Sequence, residues 1–203
     1  MEITVLHTTP QYLVCLKPSG VESEKQLPRL LCEQTGEEIL YPVHRLDKET
    51  AGVMVFAKTK SAAAYFSREI QENRFEKTYL AVVKGTLEEK ESTFTDLLFR
   101  DKQKNKSYVV KRMRKGVKEA VLSYCVLKEI AVEETPNTLV EVHLQTGRTH
   151  QIRVQFASRK HPLLGDKKYG GQSYSHLCLL AKQLTFVTPQ GETVTFTANQ
   201  ELL

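Results

Sequence analysis

Apolar residues recur along the chain with two periods, and the alternation between them lays out the elements. Tyr12-Leu13-Val14-Cys15-Leu16 is a short apolar run ending in Lys17-Pro18-Ser19-Gly20, which predicts a strand followed by a turn. Between Val21 and Tyr41 the pattern is mixed, with Leu27, Leu30 and Leu31 suiting a helix. Val53, Val55 and Ala57 then alternate with Met54, Phe56 and Lys58, as in a strand covered on both faces. From Ser61 to Arg74 the period lengthens: Ala63, Phe66 and Ile70 share one side of a predicted helix, opposite Arg68, Glu69 and Glu72. Strand-like runs return at Tyr79 to Val83, Ser92 to Phe99, Ala120 to Leu127 and Leu139 to Leu144. A terminal hairpin is predicted from Leu184-Thr185-Phe186-Val187 and Thr193-Val194-Thr195-Phe196-Thr197, split by Pro189-Gln190-Gly191. Gly147 turns the chain, and Thr149 is the expected N-cap of a helix carrying Gln151, Ile152, Arg153, Gln155 and Phe156. Strands outnumber helices without alternating regularly with them, which predicts an α+β fold with a largely antiparallel sheet.

A length of 203 residues suits one sizeable core, so a single domain spanning 1–203 is expected. The net charge of +5 matters less than its distribution. Arg100 to Lys118 holds nine basic residues, among them Lys104, Lys106, Lys111 and Arg112, against the single acid Asp101. Lying between two strand-like runs, this segment reads as a long hairpin or arm around 100–118, and a polyanion is its natural partner. The competing reading is a solvated edge hairpin that uses lysine to prevent aggregation. Cys15, Cys32, Cys125 and Cys178 are far apart and mostly in apolar surroundings, so reduced, buried thiols are expected. The start of the chain has no basic region followed by an apolar run, and no apolar segment is long enough to span a bilayer. A cytoplasmic protein, without membrane association and monomeric, is the expectation.

The stretch with most chemistry is Pro42-Val43-His44-Arg45-Leu46-Asp47-Lys48-Glu49-Thr50-Ala51-Gly52, a loop that delivers an acid to the edge of a strand. Arg45 and Lys48 favour the ionised form of Asp47, and a carboxylate kept ionised in a pocket can act as nucleophile or base. An Asp that only ties down a turn would look the same locally.

His44-Arg45-Leu46-Asp47, followed by Thr50-x-Gly52 and Ala57-Lys58, resembles the active-site motif of RluA-type RNA pseudouridine synthases. Two further blocks carry the resemblance: Lys77-Thr78-Tyr79-Leu80-Ala81-Val82-Val83-Lys84-Gly85 and Thr146-Gly147-Arg148-Thr149-His150-Gln151-Ile152-Arg153-Val154, the latter followed by His161-Pro162-Leu163-Leu164-Gly165-Asp166-Lys167-Lys168-Tyr169-Gly170. The blocks keep the family's order and approximate spacing over nearly the whole chain; Ala51 stands where the family usually has Ser. The resemblance implies a mixed, mostly antiparallel β-sheet flanked by helices, with the active site in a cleft across it. It places the Lys17-Pro18-x-Gly20 turn beside that site. The S4-type RNA-binding domain that often accompanies the family has no room in 203 residues.

By the same resemblance, Asp47 is the carboxylate of uridine isomerisation, Arg153 the basic residue that pairs with it, and Tyr79 the ring that stacks on uracil and the hydroxyl for proton transfer at C5. No metal or organic cofactor is needed, since the reaction neither oxidises nor hydrolyses. His44 and Arg45 suit the gap left by the displaced base, and Arg148, His150 and Gln151 are placed to reach phosphates or base edges. His150 and His161 lack a zinc-like spacing. The partner is RNA, ribosomal or transfer. A non-catalytic RNA-binding module is the alternative, and a nucleoside or sugar hydrolase is disfavoured because a glycosidase normally uses two carboxylates and the motif holds one.

Overall fold

The computed structural model describes residues 1–203, and the chain divides into two compact units, Met1–Lys77 with Leu180–Glu201, and Thr78–Leu179 with Leu202–Leu203. No helix is long and apolar enough to cross a membrane.

In the first unit, β1 (Val5–Thr8) and β2 (Tyr12–Lys17) form an antiparallel pair, and β2 pairs in turn with β4 (Ala51–Ala57), from Tyr12↔Ala57 to Lys17↔Gly52. The two-residue β3 (Tyr41–Pro42) bridges the far end of β4. At its near end β4 runs parallel to β10 (Leu179–Val187), through Leu180↔Ala51 and Ala181↔Gly52. β10 turns back antiparallel as β11 (Thr193–Thr197), the hairpin expected from Pro189-Gln190-Gly191. Residues 52–57 are all buried, as a strand covered on both faces requires. Gly52 has a reason beyond burial. Its φ is +125°, and a Cβ there would sit 2.2 Å from the Ala181 carbonyl oxygen, so only glycine lets β4 and β10 approach.

Helix α1 (Gln26–Thr35) buries Leu27, Pro28 and Leu31 and ends at Gly36, in the left-handed region. Helix α2 (Lys60–Gln71) starts at Thr59, whose hydroxyl accepts from the Ala62 amide. Its buried side is Ala62, Phe66 and Glu69, one position round from the apolar stripe read along the sequence. Glu69, expected outside, is only 3% exposed because both its oxygens accept from Arg74, at 2.8 and 2.6 Å. A charge so bonded can be buried, and the helix rotates to use it. The core joins Tyr12, Phe66, Phe75 and Phe186, with Phe66 edge-on to Phe186 at 5.3 Å and Phe75 stacked on it at 5.1 Å.

The second unit is antiparallel throughout its strand pairs. β5 (Phe75–Lys84), which enters it at Thr78, pairs with β9 (Thr135–Leu144), and the order continues through β8 (Val117–Val132) and β6 (Glu91–Asp101) to the edge strand β7 (Lys106–Val110). Helix α3 (Gln151–Ser158) lays Val154 on Leu98 and Ala120, from β6 and β8, with Tyr169 beside them. The basic segment is not one projecting hairpin. β6 and β8 pair as expected, but the chain between them folds back as β7 on the other side of β6, from Leu97↔Val110 to Asp101↔Lys106. The physical reason is the apolar pair Val109-Val110 and the buried Ser107, which make this part of a charged run fit to extend a sheet.

The architecture is the expected α+β, with a mixed and mostly antiparallel arrangement of strands and three helices. Gly52→Ala is expected to destabilise the protein by on the order of 3 kcal/mol, since it combines backbone strain with a main-chain clash that no rotamer relieves. Urea unfolding of the variant beside the parent checks this.

Candidate active site

Asp47 lies in the first unit, on the loop from Val43 to Thr50 that joins β3 to β4, and the loop's backbone is fastened on both sides of it. The Ser23 hydroxyl donates to the Leu46 carbonyl at 2.9 Å. Beyond Asp47, the Lys48 carbonyl accepts from the Gly20 amide at 2.8 Å and from the Lys17 ammonium at 2.9 Å, and the Glu49 carbonyl accepts from the Ser19 hydroxyl at 2.7 Å. The Thr50 amide returns to the Asp47 carbonyl at 3.0 Å. The Lys-Pro-x-Gly turn is therefore the seat of the Asp47 loop.

Lys17 is the centre of this seat. Its side chain is fully buried, and the ammonium donates to three carbonyls, those of Pro18 (2.9 Å), Val21 (2.7 Å) and Lys48 (2.9 Å). Burial pushes its pKa down to about 8, against the opposing pull of Glu49, Asp47 and Glu22. Holding it charged costs roughly 3 kcal/mol relative to water, taking the ordinary value of 10.5 as reference. The neighbours named from the sequence as Asp47's cations lie at the surface. Arg45 is exposed, its guanidinium 3.5 Å from Glu24, and Lys48 is exposed as well.

His44 turns to the strand behind it. Nε2 accepts from the Val55 amide at 3.2 Å, so the ring is neutral with its proton on Nδ1. Burial, with Lys77 adding to it, lowers its pKa to about 3. A ring so engaged supports the loop from beneath. Lys77 itself is half-buried, over the Phe75 ring at 6.0 Å, and burial lowers its pKa too.

The second unit holds the other two expected groups. Tyr79 lies on β5 opposite Val142 and is 6% exposed. Arg153 is the third residue of α3 and is 3% exposed. Its Nε and Nη2 meet Oδ2 and Oδ1 of Asp166 at 2.7 and 2.8 Å, a two-pronged buried ion pair. The guanidinium also lies 5.4 Å from the Tyr169 ring centroid. The sequence reading, which paired Arg153 with Asp47, did not name Asp166 as a partner. The left-handed Gly165, where a Cβ would strike the His176 carbonyl, turns the chain just before it.

The residue at the N-cap of α3 is His150, left-handed at φ 54°, not Thr149, and no side chain caps the helix there. Gln151 does the ordering instead. Its Oε1 accepts from the Arg148 amide and the Thr146 hydroxyl, at 3.0 and 2.8 Å, and its Nε2 donates to the Val121 carbonyl at 3.1 Å. Expected to reach RNA, Gln151 is 3% exposed, with both polar atoms bonded inside the unit. His150 is 7% exposed, with Nδ1 3.0 Å from the Tyr169 hydroxyl. Arg148 is half-exposed and its Nε donates to the Glu119 carbonyl. Of the basic residues, Lys104 lies in the β6–β7 turn, Lys106 opens β7, and Lys111 and Arg112 begin the exposed loop to β8, beside the exposed Met113 and Tyr108.

Comparison with known proteins places this geometry. The sequence model of a family described as RNA pseudouridylate synthase matches residues 11–158. A protein of Aquifex aeolicus named "Uncharacterized RNA pseudouridine synthase" is 47% identical over 133 residues, 66% of this chain, which spans 40% of that relative's length. "tRNA pseudouridine synthase C" of Vibrio parahaemolyticus is 30% identical over 215 residues, 93% of this chain and 86% of its own. The solved structure titled "Human RNA Pseudouridylate Synthase Domain Containing 1" superposes with a TM-score of 0.86 at 25% identity, covering 98% of this chain and 84% of the human one.

The buried cation gives a signed test. Between the folded value of about 8 and the ordinary value of 10.5, the unfolded chain holds a proton at Lys17 that the folded chain has lost, so stability from this group rises with pH. Relative to Lys17→Met, the parent is expected to gain at most roughly 1.4 kcal/mol per pH unit in that window. Urea unfolding of both proteins below and within it checks the slope. His44 acts in the acid range with the same sign: its contribution is whole above its ordinary value of 6.5 and is lost as pH falls towards about 3.

Proposed function

The chain belongs to the RNA pseudouridylate synthase family, and from that premise we propose that it isomerises specific uridines of structured ribosomal or transfer RNA, with its two units serving one catalytic domain. The observation that carries the assignment of Asp47 is the fastening of its loop: bonds to the backbone at Leu46, Lys48 and Glu49 fix the main chain on either side of a single carboxylate. A group held this firmly can be aimed at one atom of a substrate.

The reaction breaks the bond from ribose C1′ to uracil N1, turns the base, joins C1′ to C5, releases the C5 proton to water and protonates N1, so the product is an isomer. The ionised oxygen of Asp47 serves as nucleophile at C1′ or as base for a ribose hydrogen, and either role needs it charged. Arg153, oriented by Asp166, is assigned to hold that carboxylate ionised and in place. Tyr79 is assigned to stack on the detached uracil. Arg45, Arg148 and the cations of β7 and its flanking loops are assigned to phosphates, where no chemistry occurs. His44, His150 and Gln151 act behind these contacts by shaping the loops that present them.

The direct test uses unmodified ribosomal and transfer RNA transcripts carrying tritium at uracil C5. Release of tritium to water, with pseudouridine in the digested RNA, is expected; free uracil, or bound RNA left unchanged, would sink the proposal in favour of a hydrolase or a binding module respectively. Asp47→Asn is expected to abolish tritium release while RNA affinity stays within a few-fold, because the charge is needed only in the transition state. Replacing Lys104, Lys106, Lys111 and Arg112 with Gln is expected to weaken binding and flatten its salt dependence. The slope of log affinity against log salt should fall by roughly 0.7 to 0.9 for each phosphate left without its cation. An unaltered slope in filter binding across a salt series would leave this strand as a solvated edge.

A further inference from the structure

Tyr169 has more partners than packing requires. Its hydroxyl accepts from the Ser107 amide at 2.8 Å, lies 3.2 Å from the Ser107 carbonyl, and is 3.0 Å from His150 Nδ1. One proton arrangement satisfies all three: the O–H donates to the carbonyl, while the amide and a protonated Nδ1 donate to the oxygen. The backbone amide of Tyr169 reaches Asp166 Oδ1 at 3.2 Å, and its ring lies 5.4 Å from the Arg153 guanidinium and 5.0 Å from the Lys106 ammonium. The same residue thus touches the start of the edge strand, the carboxylate that orients Arg153, and Arg153 itself. A second bond ties strand and helix together, from the Ser107 hydroxyl to the Thr149 carbonyl at 2.6 Å.

We propose that Tyr169 is a positioning residue that transmits the seating of RNA on β7 to the guanidinium of Arg153, an inference that rests on the RNA-modifying reading above. β7 has a strand ladder only with β6, so Ser107 is where its other side is held. A phenol is rigid, and a displacement of β7 at the hydroxyl therefore moves the ring against which Arg153 rests. RNA that fixes β7 through its cations thus holds the guanidinium in the orientation set by Asp166. The predicted consequence is that the basic strand contributes to rate on bound RNA as well as to affinity.

Four proteins test this: the parent, Tyr169→Phe, the triple variant Lys104→Gln, Lys111→Gln and Arg112→Gln, and their combination. Tyr169→Phe keeps the ring and loses the link. Its single-turnover rate of tritium release at saturating enzyme is expected to fall roughly tenfold, the scale of a partly misplaced catalytic group, with affinity nearly unchanged. The triple variant should lose rate as well as affinity, and the combination should be no slower than Tyr169→Phe alone. Independent, multiplying effects on rate, or an unaltered rate in Tyr169→Phe, would overturn the proposal. Should Tyr169→Phe fail to fold in a thermal melt, the triple variant is compared with the parent alone: a lowered single-turnover rate at saturating enzyme supports the link, and an unchanged rate removes it. A second readout does not need turnover. The nitrogen-15 signal of Arg153 Nε is expected to move when an unmodified transfer RNA transcript is added to the parent, and to stay in place in Tyr169→Phe. If the parent binds the transcript but makes no pseudouridine from any of these RNAs, the functional reading fails, while this signal still decides the link.

Discussion

A buried ammonium is costly even with the favourable pull of Glu49, Asp47 and Glu22, and the first unit keeps one at Lys17. What offsets the cost is the convergence of three main-chain carbonyls from two segments distant in sequence, the Pro18 to Val21 turn and the Asp47 loop. A main-chain carbonyl left without a donor in a poorly hydrated place is costly, and of the three the Lys48 carbonyl also has the Gly20 amide. The ammonium has three protons and commits all of them, which is why an uncharged side chain of equal length cannot replace it. The position of Asp47 depends on this knot, since the residues on either side of the carboxylate are the ones tied down.

The second unit solves the opposite problem, that of holding a guanidinium still. The Arg153–Asp166 pair is buried, so its contribution to net stability is small once desolvation is counted. Its value lies in direction: two parallel bonds fix the plane of the guanidinium, and the Tyr169 ring supports it. Gln151 plays the corresponding part for the turn before α3, bonding Thr146, Arg148 and Val121. Rigid polar networks of this kind are what an accurately aimed active site requires of its surroundings.

The edge strand β7 shows how function and fold share a segment. Lys106 at the start of the exposed edge, with Lys104 and Lys111 flanking it, discourages pairing with other chains, and the same charges suit a polyanion. Ser107, the one buried residue of the strand, anchors it through both its backbone and its hydroxyl. A strand paired along β6, anchored at Ser107 and flanked by charged loops can meet a polyanion without surrendering its place in the sheet.

Much of this was determined by sequence alone. The apolar run of β4, the Pro189-Gln190-Gly191 hairpin, the Leu27 and Leu31 helix and the excess of strands follow from periodicity and turn chemistry, which are local properties. The family's motifs marked Asp47, Tyr79 and Arg153 because residues in those blocks keep fixed order and spacing. Tertiary structure decided the rest. No periodicity says that Glu69 goes inward, because the burial depends on Arg74 closing over both its oxygens. Nothing in a charged run announces that Lys106 to Val110 returns along β6, since strand pairing is a choice of partner and not of composition. The roles of Lys17, Asp166, Tyr169 and Gln151 are of the same kind: each depends on atoms brought together from positions up to dozens of residues apart. A hydrogen bond has direction and reach, and those exist only once the chain has folded.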